Sequence, residues 1–301
     1  MSAFLGLDRQ SAATTFLMFY AFAHFMNSLM FGTPGIPIST KPRDTFNGIK
    51  QIRALGLCAM ELEFVQNVNV SQEIASKIRE LVKSQGTVLT CHGQYFVNLA
   101  AIEPAKYHAS IGRMVLAAKR LYECGGYSAT WHMGFYLGRP KEQIHQLIVK
   151  GVKEVVKTLQ DQGIKIWIRP ETTGKESQWG DLQETIKLAQ EVEMVLPCID
   201  FGHLHARYNG KNNSTEEFRS ILSQVEKGLG REALDNMHIQ VCGIAYGPKG
   251  EKHHLNLEES DLRWRDLLLA WKEFKLKGVV ITESPNIEED ALLLKREWER
   301  L

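Results

Sequence analysis

Acidic and histidine side chains collect at the ends of short apolar runs in this 301-residue chain. Glu61 and Glu63 lie in AMELEF, His92 ends TVLTCH, His132 ends SATWH, and Glu171 follows IKIWIRP. Asp200 closes VLPCID, with His203 three residues on; His238 opens HIQVC, Glu283 closes VVITE, and Glu251, His253 and His254 sit in GEKHHL. A lone histidine beside an apolar strand is ordinarily a hydrogen-bonded core residue, and a lone acid at a strand end is ordinarily a helix cap. Imidazoles and carboxylates converging from several strands are different, because desolvating them together is costly unless a cation pairs with them. Imidazole and carboxylate without paired thiolate suit zinc, manganese or iron.

Convergence requires elements that bring those ends to one face. Apolar, β-branched runs predict strands at Phe31–Thr33, Ala59–Phe64, Thr87–Cys91, Ser128–His132, Lys165–Arg169, Val195–Asp200, His238–Cys242 and Val279–Glu283. Amphipathic stretches predict helices at Phe46–Leu55, Gln72–Ser84, Pro104–Cys124, Lys141–Gln162, Trp179–Glu191, Thr215–Leu229, Asp261–Lys275 and Glu288–Leu301. Gly56, Gly86, Gly125, Gly163 and Gly278 punctuate the helix ends. Strand–helix alternation repeated in this way predicts a single-domain (β/α)₈ TIM barrel over residues 31–301, an α/β fold whose chemistry sits at the C-terminal ends of its strands.

Residues 1–30 read differently. Phe16 to Met30, FLMFYAFAHFMNSLM, is apolar but short for a membrane span and lacks a signal peptide's basic leader, so it reads as an upstream extension or a misplaced start rather than an anchor. The five cysteines form no CxxC pair and point to free thiols in a reducing cytoplasm. A net charge of +1 excludes a generally basic nucleic-acid coat protein. Basic residues nevertheless recur on the predicted βα loops, at Lys41, Arg43, Arg139, Lys141, Lys175, Arg207, Lys211, Lys249 and Lys252, which favours a groove for a polyanion.

Taken in order, CHGQYFVNLA, TWHMGFYLG, PETTG, CIDFGHLHA, MHIQV, GEKHHLNL and ITESP resemble the motifs of endonuclease IV, the zinc-dependent apurinic/apyrimidinic endonuclease family within the xylose-isomerase-like barrels. The resemblance implies two or three zinc ions, with manganese as an alternative. His92 and His132 would hold one, Glu171 would bridge to a second completed by Asp200, His238 and Glu283, and His203, Glu251 and His253 would hold a third. It implies a monomer that cleaves DNA 5′ to abasic sites, with Glu171 and Glu283 as catalytic carboxylates and Tyr95, Phe96 and Lys252 contacting DNA. The chain departs from the family with Glu251 for aspartate, Lys252 for arginine, Thr172-Thr173 for Asn-Thr and Gln240-Val241 for Asn-Asp.

Two other readings compete. A sugar isomerase or epimerase of the same superfamily would use one divalent cation, and Glu171, Asp200, His238 and Glu283 would serve it equally well; the additional histidines favour the nuclease. A barrel that binds metal or ligand without catalysis is the third.

Overall fold

The barrel strands form on short, largely apolar runs that carry single polar residues, and a computed structural model describes residues 28–301. Eight parallel strands are ordered β1 Leu29–Pro34, β2 Ala59–Glu63, β3 Val88–His92, β4 Ser128–Trp131, β5 Trp167–Pro170, β6 Cys198–Asp200, β7 Met237–Val241 and, after a hairpin, β10 Gly278–Thr282. The hairpin comprises β8 Gly243–Gly247 and β9 Gly250–Leu255. Residues 1–27, most of the apolar extension, lie outside the described residues, whereas Leu29 and Met30 belong to β1 and pair with Gly278 and Val279. No helix among the described residues is long and apolar enough to cross a membrane.

Ladder hydrogen bonds run continuously from β5 through β4, β3, β2, β1, β10 and β7 to β6. The remaining seam is thin because Pro170, between the Ile168 and Thr172 amides that donate to Met194 O and Cys198 O, has no N–H to give to β6, and β6 is shorter than the expected Val195–Asp200 strand. Bridges from Ile168 to Val195 and from Glu171 to Cys198 close it, completing the expected single-domain TIM barrel.

Helices pack their apolar stripes around the outside. After α1, Thr45–Ala54, and α2, Gln72–Gln85, come two long helices, α3 Pro104–Glu123 and α4 Lys141–Asp161. These two bury Met114, Ala118, Leu121, Ile148, Val152 and Val156. Local chemistry sets the boundaries. The helix expected from Trp179 instead starts at Leu182 as α5, Leu182–Glu191, because Asp181 caps it in a capping box with Glu184. A further short helix, α6 Phe201–Arg207, starts immediately after β6, with the Asp200 side chain accepting from His203 N. Asp200 and His203 therefore reach the C-terminal rim on a strand end and the first helical turn behind it.

Inside the barrel the pleat points alternate residues inward. Several of these buried residues are polar: Glu61, Thr90, Ser128, Thr130, Arg169, His238 and Gln240. Burial pulls the Arg169 guanidinium down to about 10, and it donates to Ser128 Oγ at 2.9 Å and Asn236 Oδ1 at 2.9 Å.

Candidate metal centre

Glu171, just past the end of β5, is the hub. Its side chain is fully buried, with Oε1 2.8 Å from His132 Nε2 and 3.0 Å from His203 Nδ1, and Oε2 3.1 Å from His92 Nε2. His92 ends β3 and His132 follows β4, so neighbouring strands deliver both rings to the same carboxylate. Space here is tight: a Cβ on Gly93 would overlap the Trp131 indole at Nε1, so only glycine lets the chain pass behind His92. The imidazoles continue in a row, His92–His132–His203–His254, with centroids 5.7, 5.4 and 5.7 Å apart.

Three groups of ligand atoms lie close enough to share an ion: His92, His132 and Glu171; Glu171, Asp200, His203 and Glu283; and His203, His254 and Glu283. Backbone carbonyls orient the rings. His92 Nδ1 donates to Gly93 O at 2.7 Å and His254 Nδ1 to Glu283 O at 3.1 Å, which leaves each Nε2 as the free nitrogen. Either a proton or a cation must then lie between His92 Nε2 and Glu171. Asp200 Oδ1 caps α6, while Asp200 Oδ2 is buried without a hydrogen bond. Glu251 Oε2 is 3.7 Å from His203 Nε2 and Glu251 Oε1 is 4.0 Å from His254 Nε2. Those separations exceed hydrogen bonds and approach the roughly 3.4 Å between ligand atoms around a tetrahedral zinc. The residues fit a metal.

The electrostatics agree. Burial raises Glu171, but the His132 charge and hydrogen bonds from His132, His203 and His92 outweigh it and hold this carboxyl well below its usual range. Burial and the neighbouring Glu171 and Asp200 charges push Glu283 well up. Burial, then the Glu61 charge, brings Glu63 to about 8. Burial lowers His92 and His203, but Glu171 around the first and Asp200 with Glu171 around the second raise both well above an ordinary imidazole. Without a cation, protons hold this cluster together; a cation that replaced them would release them.

Two residues expected at the metal lie elsewhere. His238 is the second residue of β7, deep in the barrel rather than at its rim. Arg169 donates to Ser128 Oγ, so the serine hydroxyl donates to His238 Nδ1 at 2.9 Å and leaves Nε2 to face Glu61 Oε2 at 3.0 Å. Both ring nitrogens are engaged, and His238 belongs to none of the three groups. His253 is exposed, while His254 turns into the site. The cause is a β-bulge: Tyr246 pairs with Glu251 and Ala245 with His253, leaving Lys252 as the extra residue. The bulge shifts the alternation so that Glu251 and His254 share the inner side while Lys252 and His253 face solvent.

Around the rim, Tyr95 and Phe96 are exposed just beyond His92, with ring centroids 5.4 Å apart and the Arg113 guanidinium 4.7 Å over Phe96. Lys249 and Lys252 are exposed on the hairpin. Arg207 departs from the expected basic groove: it is buried, donating to Thr173 Oγ1 at 2.9 Å and Gln178 O at 3.1 Å, and it braces the loop whose Gly174 O receives Glu251 N at 2.9 Å.

An uncharacterised protein from Methanocaldococcus jannaschii is 42% identical over 273 residues, 91% of this chain and 98% of its own. A probable endonuclease 4 from Bacillus subtilis is 23% identical over 66% of this chain and 67% of its own. Among solved structures, a D-tagatose 3-epimerase-like protein superposes with a TM-score of 0.69 at 16% identity, covering 89% of this chain and 96% of its own. Endonuclease IV from Thermus thermophilus superposes with a TM-score of 0.67 at 18% identity, covering 89% of this chain and 98% of its own. At such identities the two structures establish the shared barrel and no activity. The model for the xylose isomerase-like TIM barrel matches residues 49–300, and the protein belongs to that family.

Proposed function

We propose that the protein is a zinc-dependent phosphodiesterase of the endonuclease IV type, which incises DNA 5′ to abasic sites. The row of four imidazoles along Glu171 and Glu283 carries this reading, since it offers ligands for at least two cations where a sugar enzyme needs one. The similarity in sequence to a probable endonuclease 4 points the same way. His238, which would have served either reading, is occupied by Ser128 and Glu61.

When bound, zinc would supply Lewis-acid polarisation of the phosphate and a stronger oxygen nucleophile at neutral pH. His92, His132 and Glu171 would hold one ion, and His203, His254 and Glu283 another, with Asp200 and Glu251 at its edge. Glu171 would keep the two centres in register, because its two oxygens face different imidazoles. Tyr95 and Phe96 present exposed ring faces on which a base can stack, and Lys249 and Lys252 supply charge for neighbouring phosphates. Lysine at position 252 makes a point-charge contact rather than a bidentate one.

The purified protein should nick a duplex oligonucleotide at a single tetrahydrofuran abasic analogue, lose that activity to a chelator and regain it with zinc. Absence of incision, together with C3 epimerisation of a ketohexose by the same preparation, would replace this reading with the sugar-enzyme one.

A further inference from the structure

Below the metal ligands the barrel interior carries a polar chain that none of the steps above uses. Gln240, two residues after His238 on β7, points into the same interior one layer nearer the rim. Its Nε2 donates both to Glu61 Oε1 at 2.7 Å and to Glu283 Oε1 at 3.0 Å, and its Oε1 accepts from Cys198 Sγ at 3.3 Å. Glu61 in turn accepts from Thr90 Oγ1 at 2.7 Å and lies 3.0 Å from His238 Nε2. Gln240 and Glu61 are both fully buried.

We infer that Gln240 is a positioning residue for Glu283, holding one oxygen of that carboxylate so that its plane is set before a cation arrives. Glu283 follows the last residue of β10, and its backbone is held on both sides, its N–H donating to Val241 O at 2.9 Å and its carbonyl accepting from His254 Nδ1 at 3.1 Å, so only the side chain is left to be set. One carboxamide N–H₂ has two hydrogens, and here they are divided between two carboxylates, so the amide spaces Glu61 from Glu283 while tying Glu283 to the strand beneath. Glu61, held by Thr90 and His238, is the fixed end of that tie. The polar interior is therefore a foundation for one of the two centres, extending down through Ser128 to Arg169. This role rests on the reading of the rim as a metal centre, and it concerns only the ion that Glu283 contacts.

Zinc titration against a chromophoric chelator, followed beside thermal melts, separates the possibilities. In the wild type two ions should titrate. In Gln240→Leu the ion bound by His203, His254 and Glu283 should weaken by about 10- to 100-fold, as losses of outer-sphere partners do. The ion bound by His92, His132 and Glu171 should stay within about twofold of wild type. A merely structural contribution would lower the melting temperature and loosen both ions alike, and that result would overturn the inference; so would unchanged affinity for both. Should Gln240→Leu fail to fold, Gln240→Met, which is unbranched and of matching length, carries the same test. Wild-type protein that bound fewer than two ions would overturn the reading of the centre, and this inference with it.

Discussion

Glu171→Gln is expected to lower kcat/KM for incision by on the order of 10³-fold, about 4 kcal/mol of lost transition-state stabilisation, while the barrel stays folded. The substitution keeps the shape and removes the charge. It also places an amide nitrogen against an imidazole whichever way the carboxamide turns, because Oε1 faces His132 and His203 while Oε2 faces His92. Turning the amide cannot satisfy all three rings. The same change should weaken zinc at both centres, since Glu171 belongs to one ligand group with His92 and His132 and to another with Asp200, His203 and Glu283. Incision kinetics, zinc content and a circular-dichroism melt on one preparation check it. Near-normal turnover with full zinc content would remove Glu171 from the hub.

His254→Ala and His253→Ala should behave oppositely although the residues are adjacent. Loss of the His254 ring takes one ligand from the group formed with His203 and Glu283, so zinc content should fall by about one ion per chain and incision on the order of 10²-fold. His253 is exposed on the other side of the β-bulge, and its loss should leave zinc content unchanged. Elemental analysis of the two variants decides the register. A loss of zinc from His253→Ala with retention in His254→Ala would mean that the hairpin presents its other face.

The contrast between those residues marks where sequence patterning stops being informative. Strands β3 and β10 are legible because β-branched and apolar residues dominate them, and His92, His132, Glu171 and Glu283 stand within a residue of their strands' ends. Convergence then follows from the barrel alone. Position along a strand is legible too. His238 opens its apolar run, and a residue at the start of a barrel strand lies far from the catalytic face, so the sequence holds a signal against it as a ligand. The similarity of MHIQV to a family motif points the other way and misleads. The bulge at Lys252 is another matter. Alternation along GEKHHL places Glu251 and His253 on one side, and no residue in that segment announces the extra position. The bulged strand packs against the distant loop at Gly174, where a Cβ would stand 2.7 Å from Glu251 Cβ and the carbonyl accepts from Glu251 N at 2.9 Å. Arg207 is lost to the groove for a similar reason, because its partners are oxygens supplied by a distant loop.

The interior polar chain shows a third kind of limit. Glu61 reads from sequence as one more acid near a metal, and Gln240 reads as a departure from the family's Asn-Asp. Their joint role appears only when β2, β7 and β10 are brought together, since Gln240 lies 179 positions from Glu61 in sequence and 43 from Glu283.

The most direct test of the whole account is an anomalous difference map recorded at the zinc edge from crystals of the protein grown with zinc. Two peaks are predicted, one bounded by His92, His132 and Glu171 and the other by His203, His254 and Glu283. No peak at either place, or a single peak deep in the barrel between Glu61 and His238, would contradict it.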